Sequence, residues 1–75
     1  MKEYNYYKDA FGETLNIGDR VCFLLRRFHE YEKYMKGRID HFTQEYVAIV
    51  CKNNGEVECF MKRPYNVIKY ESKEA

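Results

Sequence analysis

The stretch "EYVAIVCKNNGEVECF", residues 45–60, decides the fold. A run rich in β-branched residues enters Asn53-Asn54-Gly55, and an alternating run of acidic and apolar residues leaves it. Such a pattern, closed by Gly, is a hairpin signal. Read as a three-residue loop over 53–55, it lets Gly55 take the left-handed conformation of a bulge. That register sets Cys51 opposite Val57, Ile49 opposite Cys59 and Val47 opposite Met61, all on one inner face. Glu56 and Glu58 then go to solvent. A two-residue turn would split that face, because a one-residue slip sends every side chain to the other side. The expectation is a strand over 45–52 paired through this loop with its successor.

Working outward, "RVCFLLR" at 20–26 follows a Gly18-Asp19 turn and alternates Val21, Phe23 and Leu25 with Cys22 and Leu24. Both faces are apolar, so the strand is expected to lie inside the sheet or beneath another part of the chain. A weaker strand over 35–42 holds Gly37, and "RPYNVIKY" gives a Pro turn and a short strand over 67–70. Between the first two strands, "FHEYEKYM" at 28–35 carries Phe28, Tyr31, Tyr34 and Met35 at spacings that suit one or two turns of amphipathic helix. A long loop is the alternative there. Five short strands with tight turns predict an all-β fold, a small five-stranded antiparallel barrel with a short helical turn within 27–36. The organisation expected is a lead-in segment 1–8, one barrel domain over 9–70, and a solvated tail 71–75.

With 75 residues, the chain has room for one thin core. Aromatics at 17% and hydrophobics at 45% are too rich for a disordered chain. No apolar run approaches a membrane span, and the amino terminus has no signal-peptide core. Three widely spaced cysteines do not make a disulfide framework. The expectation is a cytoplasmic chain without membrane association.

"DAFGETLNIGDRVCF", "GRID", "NGEVECF" and "RPYNVIKY" follow one another in an order that resembles the SH3-like small barrels, including Tudor-like and KOW-like domains. The resemblance covers about residues 9–70 and rests on Gly18-Asp19, Gly37 and Pro64-Tyr65-Asn66. It implies a Gly-Asp turn opening the first long strand and a turn of 3₁₀ helix before the last. The D-x-F-G lead-in and R-P-x-N-V-I close are also similar to small barrels carried by bacteriophages. The chain departs from the peptide-binding SH3 pattern, having neither an ALYDY-type stretch nor a Trp, which puts recognition of proline-rich peptides in doubt.

Reaction chemistry is sparse. Cys22, Cys51, Cys59, His29 and His41 lack the close ligand pairs of structural zinc sites. No local motif activates a Cys–His pair such as Cys22 and His41. The four glycines are scattered, so no phosphate-cradling loop exists. The reading is a non-enzymatic protein that needs no cofactor or metal.

Charge is more informative. The whole chain carries +1. Within 20–38, however, Arg20, Arg26, Arg27, Lys33, Lys36 and Arg38 face only Glu30 and Glu32, a local net charge of about +4 at neutral pH. Arg with Tyr is the composition of protein–protein hot spots. The partner-binding set is therefore Arg26, Arg27, Phe28, Tyr31, Lys33, Tyr34, Lys36 and Arg38. The expected partner is a host protein of replication or transcription, blocked or modulated by a phage-type module, a target suggested by the phage resemblance. The alternative is a nucleic-acid-binding barrel contacting its ligand through Arg26, Arg27, Lys52, Lys62 and Arg63. The apolar second face at Cys22 and Leu24 suggests a homodimer.

Overall fold

The computed structural model describes residues 7–27 and 31–72. Five antiparallel strands form one sheet: β1 (Arg20–Arg27), β2 (Tyr31–Phe42), β3 (Val47–Asn53), β4 (Glu56–Lys62) and β5 (Val67–Glu71). Their order is β4-β3-β2-β1-β5. A 3₁₀ turn, Pro64–Asn66, joins β4 to β5, as the Pro-Tyr-Asn reading anticipates. The β1 strand lies within the sheet, between β2 and β5, where two apolar faces can both find cover.

The sheet coils on itself. Flat, β1 and β4 would stand three strand spacings apart, roughly 14 Å. Instead the Phe23 and Phe60 rings approach to 5.5 Å between centroids. The enclosed core comprises Leu15, Val21, Phe23, Met35, Ile39, Val47, Ile49, Cys51 and Val67, with Tyr7, Leu25, Phe42 and Phe60 packed against it. Gly37 permits the coil. A β-carbon there would lie 2.6 Å from the Val50 carbonyl oxygen and 2.7 Å from Cys51 Sγ, so β2 crosses β3 closer than any side chain allows. No helix among the described residues is long and apolar enough to cross a membrane.

Three sequence expectations need correction. The hairpin closes through a two-residue turn with Asn53 opposite Glu56, not through a three-residue loop. Asn54 (φ 55°) and Gly55 (φ 84°) both take positive φ, as a type I′ turn requires. The true pairs are Cys51–Glu58, Ile49–Phe60 and Val47–Lys62, so Val57, Cys59 and Met61 face solvent. Phe60 and the Lys62 stem supply the inner face instead, with Lys62 Nζ 5.5 Å from the Phe23 ring. Next, no helix forms over 31–35. These residues belong to β2, with Met35 opposite Phe23 and Tyr34 opposite Leu24, while 28–30 lie outside the described residues. Finally, residues 7 and 8 join the folded unit: Lys8 bridges Thr14, and the Tyr7 hydroxyl donates to the Thr43 and Gln44 carbonyls.

Candidate binding surface

Alternation along the strands sorts the basic segment onto two faces. On the outer face the β1–β2 pairs are Arg20–Arg38, Cys22–Lys36, Leu24–Tyr34 and Arg26–Glu32. The neighbouring strand β5 sets Ile68 beside Cys22, and β3 sets Val50 beside Arg38. An open groove of about 490 Å³ runs between them, lined by Arg20, Lys36, Arg38, Val50, Lys52 and Tyr70 with Gly37 in its floor. It forms where β2 pairs with β3 only from Arg38 onward, so the β1–β2 ribbon peels away from the sheet.

Four cations thus meet around one groove. Arg20 Nε lies 3.4 Å from Glu71, which partly neutralises it. Lys36 Nζ stands 5.4 Å from the centre of the Tyr70 ring, a cation–π distance. Among the described residues, no carboxylate pairs with Lys36, Arg38 or Lys52. Tyr34 at 69% exposure and Tyr70 at 46% put two rings into solvent beside them. Between the charges lie half-buried apolar side chains: Cys22, Leu24, Val50 and Ile68. The surface can hold an anionic partner and gives it rings and methyl groups to pack on.

The residues singled out by sequence are only partly brought together. Tyr34, Lys36 and Arg38 share the outer face with Lys52. Arg26 shares it too, but its guanidinium is held 3.1 Å from Glu32. Lys33, opposite Leu25, belongs to the other face, as do positions 27 and 31 by register. Phe28 lies outside the described residues, as do the side chains of Arg27 and Tyr31. Lys62 lies over Phe23, and Arg63 is occupied by Glu45 at 3.3 Å and the Tyr46 ring at 4.9 Å. Sequence reasoning missed Arg20, Val50 and Tyr70 as groove residues. Arg20 shares the face of Cys22 and Leu24 by alternation along β1; what brings Tyr70 beside it is the pairing of β5 with β1.

A model of a family described as a domain of unknown function, DUF7205, matches residues 7–70. The chain belongs to this family. The DUF7205 match begins at Tyr7, the residue whose hydroxyl anchors the amino-terminal turn, and ends at Tyr70 in the groove. No curated protein and no solved structure matches the chain.

Elsewhere in the DUF7205 domain, the buried ionisable groups are committed to the fold. Asp9 is 4% exposed. Its carboxylate accepts N–H bonds from Phe11 at 2.9 Å and from Glu13 and Lys69 at 2.8 Å. Burial alone would raise its pKa. The three N–H donors and the Lys69 charge outweigh that and hold the carboxyl below the ordinary value. Asp19 accepts from the Asn16 N–H at 2.8 Å and pairs with Lys69 Nζ at 3.3 Å. The thiols are dispersed. Cys51 is buried, and that burial, with Glu58 opposite, pushes its thiol up; Cys59 is exposed and Cys22 half-buried. His41 bonds Asp40 at 2.8 Å and sits opposite Ala48, remote in register from Cys22. Among the described residues, no three His, Cys, Asp or Glu side chains are grouped to hold a metal.

Proposed function

We propose that this protein is a non-enzymatic protein-binding module, and that its outer sheet face recognises an acidic protein surface. The observation that carries the reading is the convergence of Lys36, Arg38 and Lys52, without carboxylate partners among the described residues, around a groove lined by Tyr70 on a face that also exposes Tyr34. Tyr and Arg flanked by half-buried apolar side chains is the composition of an interface hot spot. The opposite charge of the partner would set orientation and speed encounter. The target class we infer is a host replication or transcription protein in the cytoplasm, occupied by a phage-type inhibitor or modulator. That inference rests on the similarity of Asp9–Gly12 and Arg63–Ile68 to phage-borne barrels.

A second reading has its own support: two exposed tyrosines beside a cluster of cations also suit single-stranded nucleic acid, with rings stacking on bases. The test is capture of partners from bacterial lysate by the wild-type protein and by Tyr34→Ala/Arg38→Ala, with and without nuclease. Nuclease-resistant capture of a discrete protein, lost in the variant, is the expected result. Binding to an oligonucleotide that weakens steeply with rising salt would favour nucleic acid instead.

A further inference from the structure

The two edges of the sheet are treated differently. The β5 edge is covered: the Ala10 N–H donates to Val67 O at 2.9 Å, and the Lys69 N–H is taken by Asp9. Among the described residues, no backbone bond reaches β4 from any strand but β3. A seven-residue edge strand left open is a template for another strand.

The register says which groups of β4 are free. In a two-residue hairpin the residues flanking the turn, Asn53 and Glu56, form the hydrogen-bonded pair, and such pairs alternate with non-bonded ones. The N–H and C=O groups of Val57, Cys59 and Met61 therefore point away from β3, to the open edge. The same three side chains stand on the outer face, with Val57 at 60% and Met61 at 46% exposure and Cys59 also exposed. The sequence of this edge, "EVECFMK", is complementary to itself when reversed about Cys59. Glu56 then meets Lys62, Val57 meets Met61, and Cys59 meets its own copy, while Glu58 stands opposite Phe60, the one pair that adds no complement.

We propose that the β4 edge is a homodimerisation site, in which two chains pair β4 antiparallel about a twofold axis at Cys59. Pairing of residues 57, 59 and 61 with 61, 59 and 57 of a second copy forms about six backbone hydrogen bonds, two per bonded pair. The charge complement fixes the antiparallel register, because a one-residue slip would break both Glu56–Lys62 contacts and the apolar pairs. The two sheets become one, and a basic groove lies on each side of an apolar seam on the common outer face. A single edge is a small interface, so the dimer is concentration-dependent. This site is distinct from the Cys22 and Leu24 face that the sequence suggests for a dimer, and it does not depend on which partner the groove takes.

Sedimentation from micromolar to millimolar protein, with reductant present, is expected to show a monomer–dimer equilibrium. Val57→Lys/Met61→Lys places like charges along the seam and should weaken it by about tenfold or more, equivalent to 1.4 kcal/mol. Glu56→Lys, at an exposed position that spares the monomer, should weaken it as well and guards against misfolding of the double variant. Diamide, which takes up two electrons and two protons as two thiols join, should link dimers of wild type and of Cys22→Ser but not of Cys59→Ser. A monomer throughout the range overturns the proposal, even where the edge accepts a foreign strand. So does a dimer indifferent to Glu56→Lys, or one that diamide cannot link through Cys59.

Discussion

Gly55 and Gly37 are bound to glycine by different forces, and substitution separates them. At Gly55 the backbone holds φ at 84° and nothing lies within 4 Å of a β-carbon position. The whole penalty there is conformational. Gly55→Val should cost about 1–2 kcal/mol, the size of a strained backbone site. For a domain of this length that lowers the melting temperature by roughly 4–8 °C for each kcal/mol. Gly37 is constrained by space: the added carbon would meet a backbone carbonyl at 2.6 Å and two core atoms of β3 at 2.7 Å. The carbonyl cannot rotate aside, so β2 and β3 must part. Gly37→Ala should therefore cost about 2–3 kcal/mol or more, despite adding a single methyl group. In a core of this size, which supplies roughly 3–5 kcal/mol, that is most of the stability. Urea denaturation of both variants tests the ranking; a Gly37→Ala protein as stable as wild type would mean that the crossing is looser than described.

Among the elements, legibility in sequence follows burial. The β1 strand is readable because its inner residues Val21 and Phe23 are wholly buried and impose a period of two. The first half of β2 is not. Residues 31–34 pair only with the far end of β1, in a ribbon that leaves the sheet, so no buried face orders "YEKY" and its spacing suits a helix equally well. The hairpin register was missed for another reason. The Asn54-Gly55 dipeptide signals a two-residue turn more strongly than the apolar side chains of β4 signal a register, because Val57, Cys59 and Met61 are left on the surface. Groove residues were legible by face but not by neighbourhood, since Tyr70 reaches Lys36 only through the pairing of β5 with β1. On the proposed reading, the ribbon serves binding rather than the fold. Tyr34→Ala/Arg38→Ala should leave the melting temperature within a few degrees, surface changes being worth about 0.5 kcal/mol or less each. Partner affinity should fall about thirtyfold or more, the equivalent of a 2 kcal/mol hot spot. Calorimetric titration of the captured partner beside a thermal melt separates the two effects; unfolding of the variant would make the ribbon part of the scaffold.

At the scale of the whole molecule, the amino-terminal turn and the last strand are held together by charge in the interior. Asp9 bonds the N–H of Lys69, sixty positions along the chain, and the Lys69 ammonium turns to Asp19 and to the Thr14 carbonyl at 3.0 Å. One carboxylate thus fixes the amino-terminal turn against β5 and closes that edge. The full set of three bonds exists only in the ionised form, which accepts through both oxygens. The folded-state pKa of Asp9 lies below its ordinary value of 3.8, so the unfolded chain binds this proton more readily than the native one. The stabilisation is complete above the ordinary pKa and drains away as pH falls through the lower, folded value. Stability should accordingly be nearly level from neutrality to about pH 5 and decline below about pH 4. Asp9→Asn keeps one acceptor oxygen but turns an amide N–H₂ towards a backbone donor, which should cost about 1–3 kcal/mol at neutral pH. Because asparagine does not titrate, the variant should also lose this part of the acid slope, and its curve should draw towards wild type at low pH. Urea denaturation at intervals between pH 7 and pH 3 measures both effects; parallel curves for the two proteins would show that Asp9 does not carry the acid sensitivity of the fold.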